Sequence, residues 1–326
     1  MAARLLRGTG RGTVLMLSEY AVEPAAIGSD WRTFKDLFDR FGADKGRLIS
    51  RLPTKWEKKV IQAAKEAGVP DVRMSSIVER LRDSKHKVVD FNRAYDHDTD
   101  WIDNALREHA ARPFRAIICD AGRAACSEAM EPDDCSDAHA LFRTTTSCDV
   151  TRTAEEIVEA LHTITAVSKE VDIVDPYFDL RPTKGNYLAT LVSLLGRLAR
   201  DPGQSKAIRI HFRDHDTRPS AEVLARDGSA QVRGLLPPGY RIELYAWSQT
   251  QGGEDFHDRY VLTDLGGIMI GAGLSADGPG ESAAFTLLNF EHAQVLRSRF
   301  AYGSTVYTRI GSAVRIRGDG STELFE

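Results

Sequence analysis

The chain has 326 residues, 42% of them hydrophobic and 28% charged, with 43 Lys and Arg against 47 Asp and Glu and a formal net charge of −4. That length admits a full core and suggests two domains or one large one with an extension, and the composition is that of an ordinary globular protein. The acidic balance excludes attraction of nucleic acid by overall charge, so any such binding requires a local basic patch. No run of 18 or more apolar residues occurs, so no membrane-spanning helix is expected. The basic start, from Met1 to Gly12, has too short an apolar run for a signal peptide, and a cytoplasmic location is expected.

The elements follow in chain order. Thr13-Val14-Leu15-Met16-Leu17-Ser18 reads as a strand. From Trp31 to Phe41 apolar residues recur at i, i+3, i+6, i+7 and i+10, which predicts a helix with Asp30 as N-cap and Gly42 as its stop. A second helix is predicted from Pro53-Thr54 through Ala64, with Trp56, Val60 and Ile61 on one face. Two more are predicted over Ser75–Leu81 and Thr99–Ala110, the latter turning Trp101, Ile102 and Leu106 inward. Phe114–Cys119 reads as a strand after the break at Pro113. Residues 1–140 are therefore expected to form a mainly helical domain.

The stretch 120–150 is polar and rich in small residues and reads as a linker. Cys119, Cys126, Cys135 and Cys148 lie in or beside it, with Asp133, Asp134, Asp137 and His139 among them. Thiolates and imidazole are zinc ligands, but no C-x2-C pair occurs, and reduced thiols are the plainer reading. Neither a metal nor a cofactor is expected.

From 141 to 326 strands and helices alternate. Thr153 caps a predicted helix Ala154–Lys169, with Glu155 and Glu156 in its first turn. Strands are predicted at Val171–Val174, Ala207–Phe212 and Arg241–Trp247, and helices at Asn186–Arg200 and from Ser220 to Arg226. Phe285–Asn289 reads as a further strand. The alternation predicts an α/β fold, a mixed β-sheet sandwiched by helices.

The most informative segment is Phe256-His257-Asp258-Arg259-Tyr260, continuing through Asp264, Gly266-Gly267 and Gly271-Ala272-Gly273-Leu274-Ser275. It reads as two short strands joined at the Gly-Gly turn. Alternation along a strand would turn His257 and Arg259 to one face. An imidazole that can attack phosphorus or carry a proton, beside a guanidinium that grips phosphate oxygens, suits phosphate chemistry. Asp264 is expected to hold the imidazole in one tautomer.

This spacing resembles the signature of the phospholipase D superfamily, H-x-K-x4-D-x6-G-S-x-N. His257, Arg259, Asp264 and Gly271 fall on its His, basic residue, Asp and Gly. Ser275 stands one place beyond its Asn, and Arg259 replaces its Lys, which changes the donor geometry. Asn289-Phe290-Glu291 resembles the N-x-E that often follows. The resemblance covers the last half of the chain and implies a metal-independent phosphodiesterase acting through a phosphohistidine. That chemistry uses two histidines, and this chain holds one signature, so a composite site in a homodimer is implied. Among relatives of this kind a DNA nuclease is the expected member, and a bacterial antiviral defence role would suit it. The N-terminal region would bind a protein partner or nucleic acid, or help dimerise. The alternative is a non-catalytic module that holds phosphate, phosphoinositide or a partner.

Other candidates are weaker. Asp175-Pro176-Tyr177 ends a strand, where ligand groups gather in open α/β sheets, so Asp175 and Tyr177 are substrate-binding candidates with Ser275, Asn289 and Glu291. His211 reads as a structural histidine. Arg152 and Arg213 are candidate phosphate contacts, and Trp247 is a candidate base-stacking platform.

Overall fold

The computed structural model describes residues 16–120, 122–123, 126–181, 185–200 and 206–326. The strand expected at 13–18 lies partly outside them; within them, the first strand is shifted to β1 (Ser18–Val22). It is followed by α1 (Pro24–Gly28), α2 (Trp31–Phe38), β2 (Arg47–Ser50), α3 (Trp56–Glu66), α4 (Asp71–Asp83), β3 (Val88–Val89), α5 (Trp101–Ala111), β4 (Ala116–Ile118) and β5 (Ala129–Met130). The five strands form one sheet in the order β3-β2-β1-β4-β5, parallel throughout.

The N-terminal region thus carries the expected helices, and adds to them a parallel sheet that the sequence pattern did not predict. Its strands are two to five residues long and buried on both faces. Such strands read as short apolar runs without alternation, and periodicity cannot tell them from buried helix. Tyr20, Val22 and Ile49 pack on Phe34, Phe38, Trp56 and Val60 on one side. Ala21 and Ile117 pack on Trp101, Ile102 and Ala105 on the other. The indole N–H of Trp56 donates to the Val22 carbonyl (2.7 Å) and that of Trp101 to Leu52 (2.8 Å), which makes both tryptophans core residues. Asp30 caps α2 as expected, accepting from the Thr33 N–H at 2.8 Å.

The second unit comprises β6 (Ser147–Arg152), α6 (Ala154–Val167), β7 (Val171–Val174), α7 (Tyr187–Arg200), β8 (Ala207–Arg213), α8 (Ala221–Val232), β9 (Arg241–Gln249), β10 (Tyr260–Thr263), β11 (Gly267–Ile270), β12 (Gly278–Leu288), α9 (Phe290–Ser298), β13 (Tyr307–Ile316) and β14 (Thr322–Phe325). Its sheet runs β14-β13-β9-β8-β7-β10-β11-β12-β6. The centre, β7-β8-β9, is parallel, and every other pairing is antiparallel. Leucines of α7 and the apolar stripes of α6 and α8 cover one face. On the other face α9 packs Ala293 and Leu296 against Val174, Trp247, Tyr260 and Leu262. The expected α/β class with a mixed sheet is found. Among the described residues no helix is long and apolar enough to cross a membrane.

The units meet closely. Phe142 still belongs to the first core and β6 opens the second sheet at Ser147. Met16, Leu17, Leu48 and Phe91 join the core of the second unit, and His86 stacks on Phe290 with ring centroids 3.7 Å apart.

Candidate functional site

Strand β10 runs antiparallel to both β7 and β11, with Tyr260 opposite Val174 and Met269. The residues just before β10 therefore share one end of the sheet with those just after β7 and β11. Arg259, Asp175, Tyr177 and the loop Gly271–Ser275 are brought together there. The parallel strand β8 ends at the same edge, since His211 pairs with Val174.

Asp175 is the anchor. It is fully buried, and each carboxylate oxygen accepts one backbone N–H: Oδ1 from Tyr177 (2.9 Å) and Oδ2 from Leu274 (3.2 Å). Those two bonds tie the loop after β7 to the loop after β11. Burial pushes its carboxyl above the usual range, while these N–H groups, Arg259 and Arg218 pull the other way. Gly273, at φ +79°, lets the loop pass between Asp175 and Arg259. A Cβ there would collide with Asp175 Oδ2 and stand 3.1 Å from Arg259 Cδ.

Arg259 Nη1 donates to the Gly271 carbonyl (3.2 Å), and the guanidinium lies 4.7 Å from the Tyr177 ring centroid. Its Nε is buried and has no hydrogen-bond partner among the described residues. Ser275 is buried; its Oγ accepts from the Asn186 N–H (2.8 Å) and donates to Asp277 Oδ1 (2.5 Å). Arg152 holds the same loop through the carbonyls of Ala272 (3.1 Å) and Ser275 (3.2 Å). Ser275 and Arg152 thus brace the loop.

His257 stands two residues ahead in extended chain, before the strand, and is 60% exposed at its side chain. The expected hairpin is present, but its strand begins at Tyr260; Arg259 joins it only through its carbonyl, which accepts the Ile270 N–H (2.9 Å), and His257 lies ahead of it. Nε2 of His257 lies 3.1 Å from Asp258 Oδ1, and Nδ1 lies 3.4 Å from the Asp255 carbonyl. Asp255 also meets Arg213 at 3.4 Å.

Three expected site residues lie elsewhere. Asp264 is at the far end of β10, where Oδ1 accepts the N–H groups of Lys169 (2.9 Å) and Glu170 (3.2 Å), and burial raises its carboxyl. A strand rises about 3.3 Å per residue, so the four steps along β10 put Asp264 roughly 13 Å beyond Tyr260, at the end of the sheet opposite His257 and too far to orient the imidazole. Asn289 and Glu291 belong to that far end too, because Leu288 pairs with Gly267. Asn289 is the N-cap of α9, accepting from Glu291 and His292 (3.1 and 3.4 Å), and the exposed Glu291 provides one of those N–H groups.

Trp247 is no stacking platform. It is buried, and its indole N–H donates to His211 Nδ1 (3.1 Å). That leaves His211 Nε2 to donate to Asp172 Oδ1 (3.1 Å), so His211 is a satisfied core histidine as expected. Arg218 is the residue that pattern reading missed at the site. Its Nη1 donates to the carbonyls of Pro176 (2.6 Å) and Arg213 (2.5 Å), and it bears on both Asp175 and Tyr187. Its one signal was position, in the loop following a parallel strand.

No family model matches the chain, and no curated protein matches it. Among solved structures it is similar to TrmBL2, an archaeal chromatin protein described as showing a novel mode of DNA binding, at TM-score 0.26 and 11% identity. The match covers 76% of this chain and 67% of that one. A likeness at that TM-score fixes neither fold nor function.

Proposed function

We propose that this chain is a phospholipase D-like, metal-independent phosphodiesterase acting on nucleic acid, most simply DNA. The observation that carries the reading is the convergence, at one sheet edge, of exposed His257 with Arg259, whose buried Nε lacks an acceptor among the described residues, beside Tyr177 and the Asp175-anchored loop. His257 Nε2 would displace Asp258, attack phosphorus and form a P–N bond as the P–O bond to the leaving strand breaks. Arg259 would hold the non-bridging oxygens. The leaving oxygen needs a proton, and the one signature per chain assigns that proton to the histidine of a second copy across a two-fold axis. Water would then release the phosphohistidine.

The test is cleavage of plasmid and labelled oligonucleotides by the pure protein in excess chelator. Retained cleavage, with an acid-labile phosphoprotein trapped on brief quenching, supports the reading. Cleavage that requires added magnesium or manganese overturns it. Mixing parent with His257→Ala chains should depress activity faster than the fraction of parent chains falls; strictly proportional loss would remove the composite site.

A second reading is a non-catalytic phosphate-binding module. It is favoured by the carboxylates of Asp255 and Asp258 beside His257 and by the distance of Asp264. Binding of the same oligonucleotides without turnover would select it.

A further inference from the structure

A second feature lies at the other end of β10, apart from His257. There the two units enclose a cleft of 1270 Å³, with Asp264 and Leu265 in its wall. Eight Lys and Arg side chains line it against five Asp and Glu, an excess of positive charge in a chain of net charge −4. Four of those acids are engaged. Glu19 is held by Arg93 (2.6 Å), Glu57 by Arg51 (2.8 Å), Glu159 faces Arg197 (3.8 Å), and Asp264 takes two backbone N–H groups. Lys85, Arg143 and Arg200 are exposed and form no ion pair among the described residues.

The cleft also receives the C-terminal end of α6, whose free carbonyls would repel an anion. A cation offsets them: the buried Lys206 ammonium donates to the carbonyls of Thr165, Ala166 and the cap residue Ser168 (2.8, 2.8 and 2.5 Å). The cleft is therefore a local basic patch of the kind that the overall composition demands of a nucleic-acid binder.

We infer that this cleft binds a short single-stranded oligonucleotide, as a site separate from the His257 edge and independent of the reaction proposed there. Its volume exceeds the roughly 300–1,000 Å³ of sites for single small ligands. The cations that form no ion pair among the described residues stand on both units, Lys85 from the first, Arg200 at the end of α7 and Arg143 between the units. Cations carried by both units suit a chain of phosphates better than a single anion, and phosphate contacts of this kind tolerate any sequence. Occupation would bridge the two units.

The test uses the full chain carrying His257→Ala, so that the probe survives, and a fluorescein-labelled single-stranded DNA about eight nucleotides long, followed by anisotropy. K85E/R143E/R200E should weaken binding about tenfold or more and lower the slope of log affinity against log salt by about 2. R226E/R233E/R317E makes the same change of net charge on exposed positions outside the cleft and should stay within about twofold of its parent. K85Q/R143Q/R200Q, a milder change, should show a smaller loss in the same direction. Equal weakening by the cleft and control variants, or binding by the cleft variants at the parent level, would overturn the site. Because His257 is absent throughout, either result leaves the phosphodiesterase reading to its own assay.

Discussion

The two ends of β10 carry similar devices with different uses. At one end the buried Asp175 accepts two backbone N–H groups; at the other the half-buried Asp264 accepts two as well. Asp175 spends one oxygen on each N–H and faces Arg259 and Arg218, whereas Asp264 takes both on Oδ1, near Lys169 and Lys206. The first joins two loops at an edge where an exposed histidine and a half-buried arginine stand. The second ties a hairpin to the strand beside it. A linear pattern written H-x-R-x4-D suggests one site. An extended chain separates its ends by the length of the strand, so its members are shared between two places.

The largest effect should come from His257→Ala. Phosphodiester cleavage should fall by on the order of 10³-fold or more, with the melting temperature unchanged, since an exposed side chain carries little packing. Asp264→Ala should show the reverse: a lower melting temperature and near-parent turnover per folded molecule. If Asp264→Ala instead loses cleavage without losing stability, the two ends are not separate.

Arg259→Ala should cost about 10²-fold in kcat/KM, and Arg259→Lys should recover part of that, because the ammonium restores charge but not the planar fork. Equal rates for Arg259→Ala and parent would remove Arg259 from the phosphate. Gly273→Ala is expected to act through the same group, because its Cβ would push on Asp175 and Arg259.

Legibility in the sequence followed element length. Caps and stripes placed α2, α6 and α7 to within a few residues, as Asp30, Thr153 and the α7 leucines show. The strand β7 was read at its true limits. Strands β2, β3 and β5, four residues or fewer, left no pattern, so the first sheet went unseen. Asp175, Tyr177 and Ser275 lie together at the candidate site, and each was legible because strand ends and glycine-rich turns are visible in sequence. Asp264, Asn289 and Glu291 were misplaced because spacing does not say which end of a sheet a residue serves. Arg218 was missed because nothing local marks an arginine whose partners are carbonyls from other loops.

Asparagine at the two aspartates sharpens the comparison further. At 175 each oxygen has its own N–H donor, so the amide NH2 of Asp175→Asn must face a donor. One buried bond is lost and two arginines lose a counter-charge, a cost of about 1–3 kcal/mol in urea unfolding. At 264 a single oxygen accepts both N–H groups, so Asp264→Asn can keep both and should cost less than about 1 kcal/mol.

The sign with pH is fixed by burial. The folded-state carboxyl of Asp264 lies above its usual value, so the folded chain binds this proton more tightly than the unfolded chain. The stability it contributes is full below the ordinary carboxylate value of about 3.9 and is lost as pH rises through the folded value. An asparagine has no such term. Asp264→Asn should therefore compare least favourably with the parent in acid and draw level with it, or pass it, towards neutral pH. A deficit that grows as pH rises would mean that the ionised Asp264 is stabilised by Lys169 and Lys206 more than it is penalised by burial.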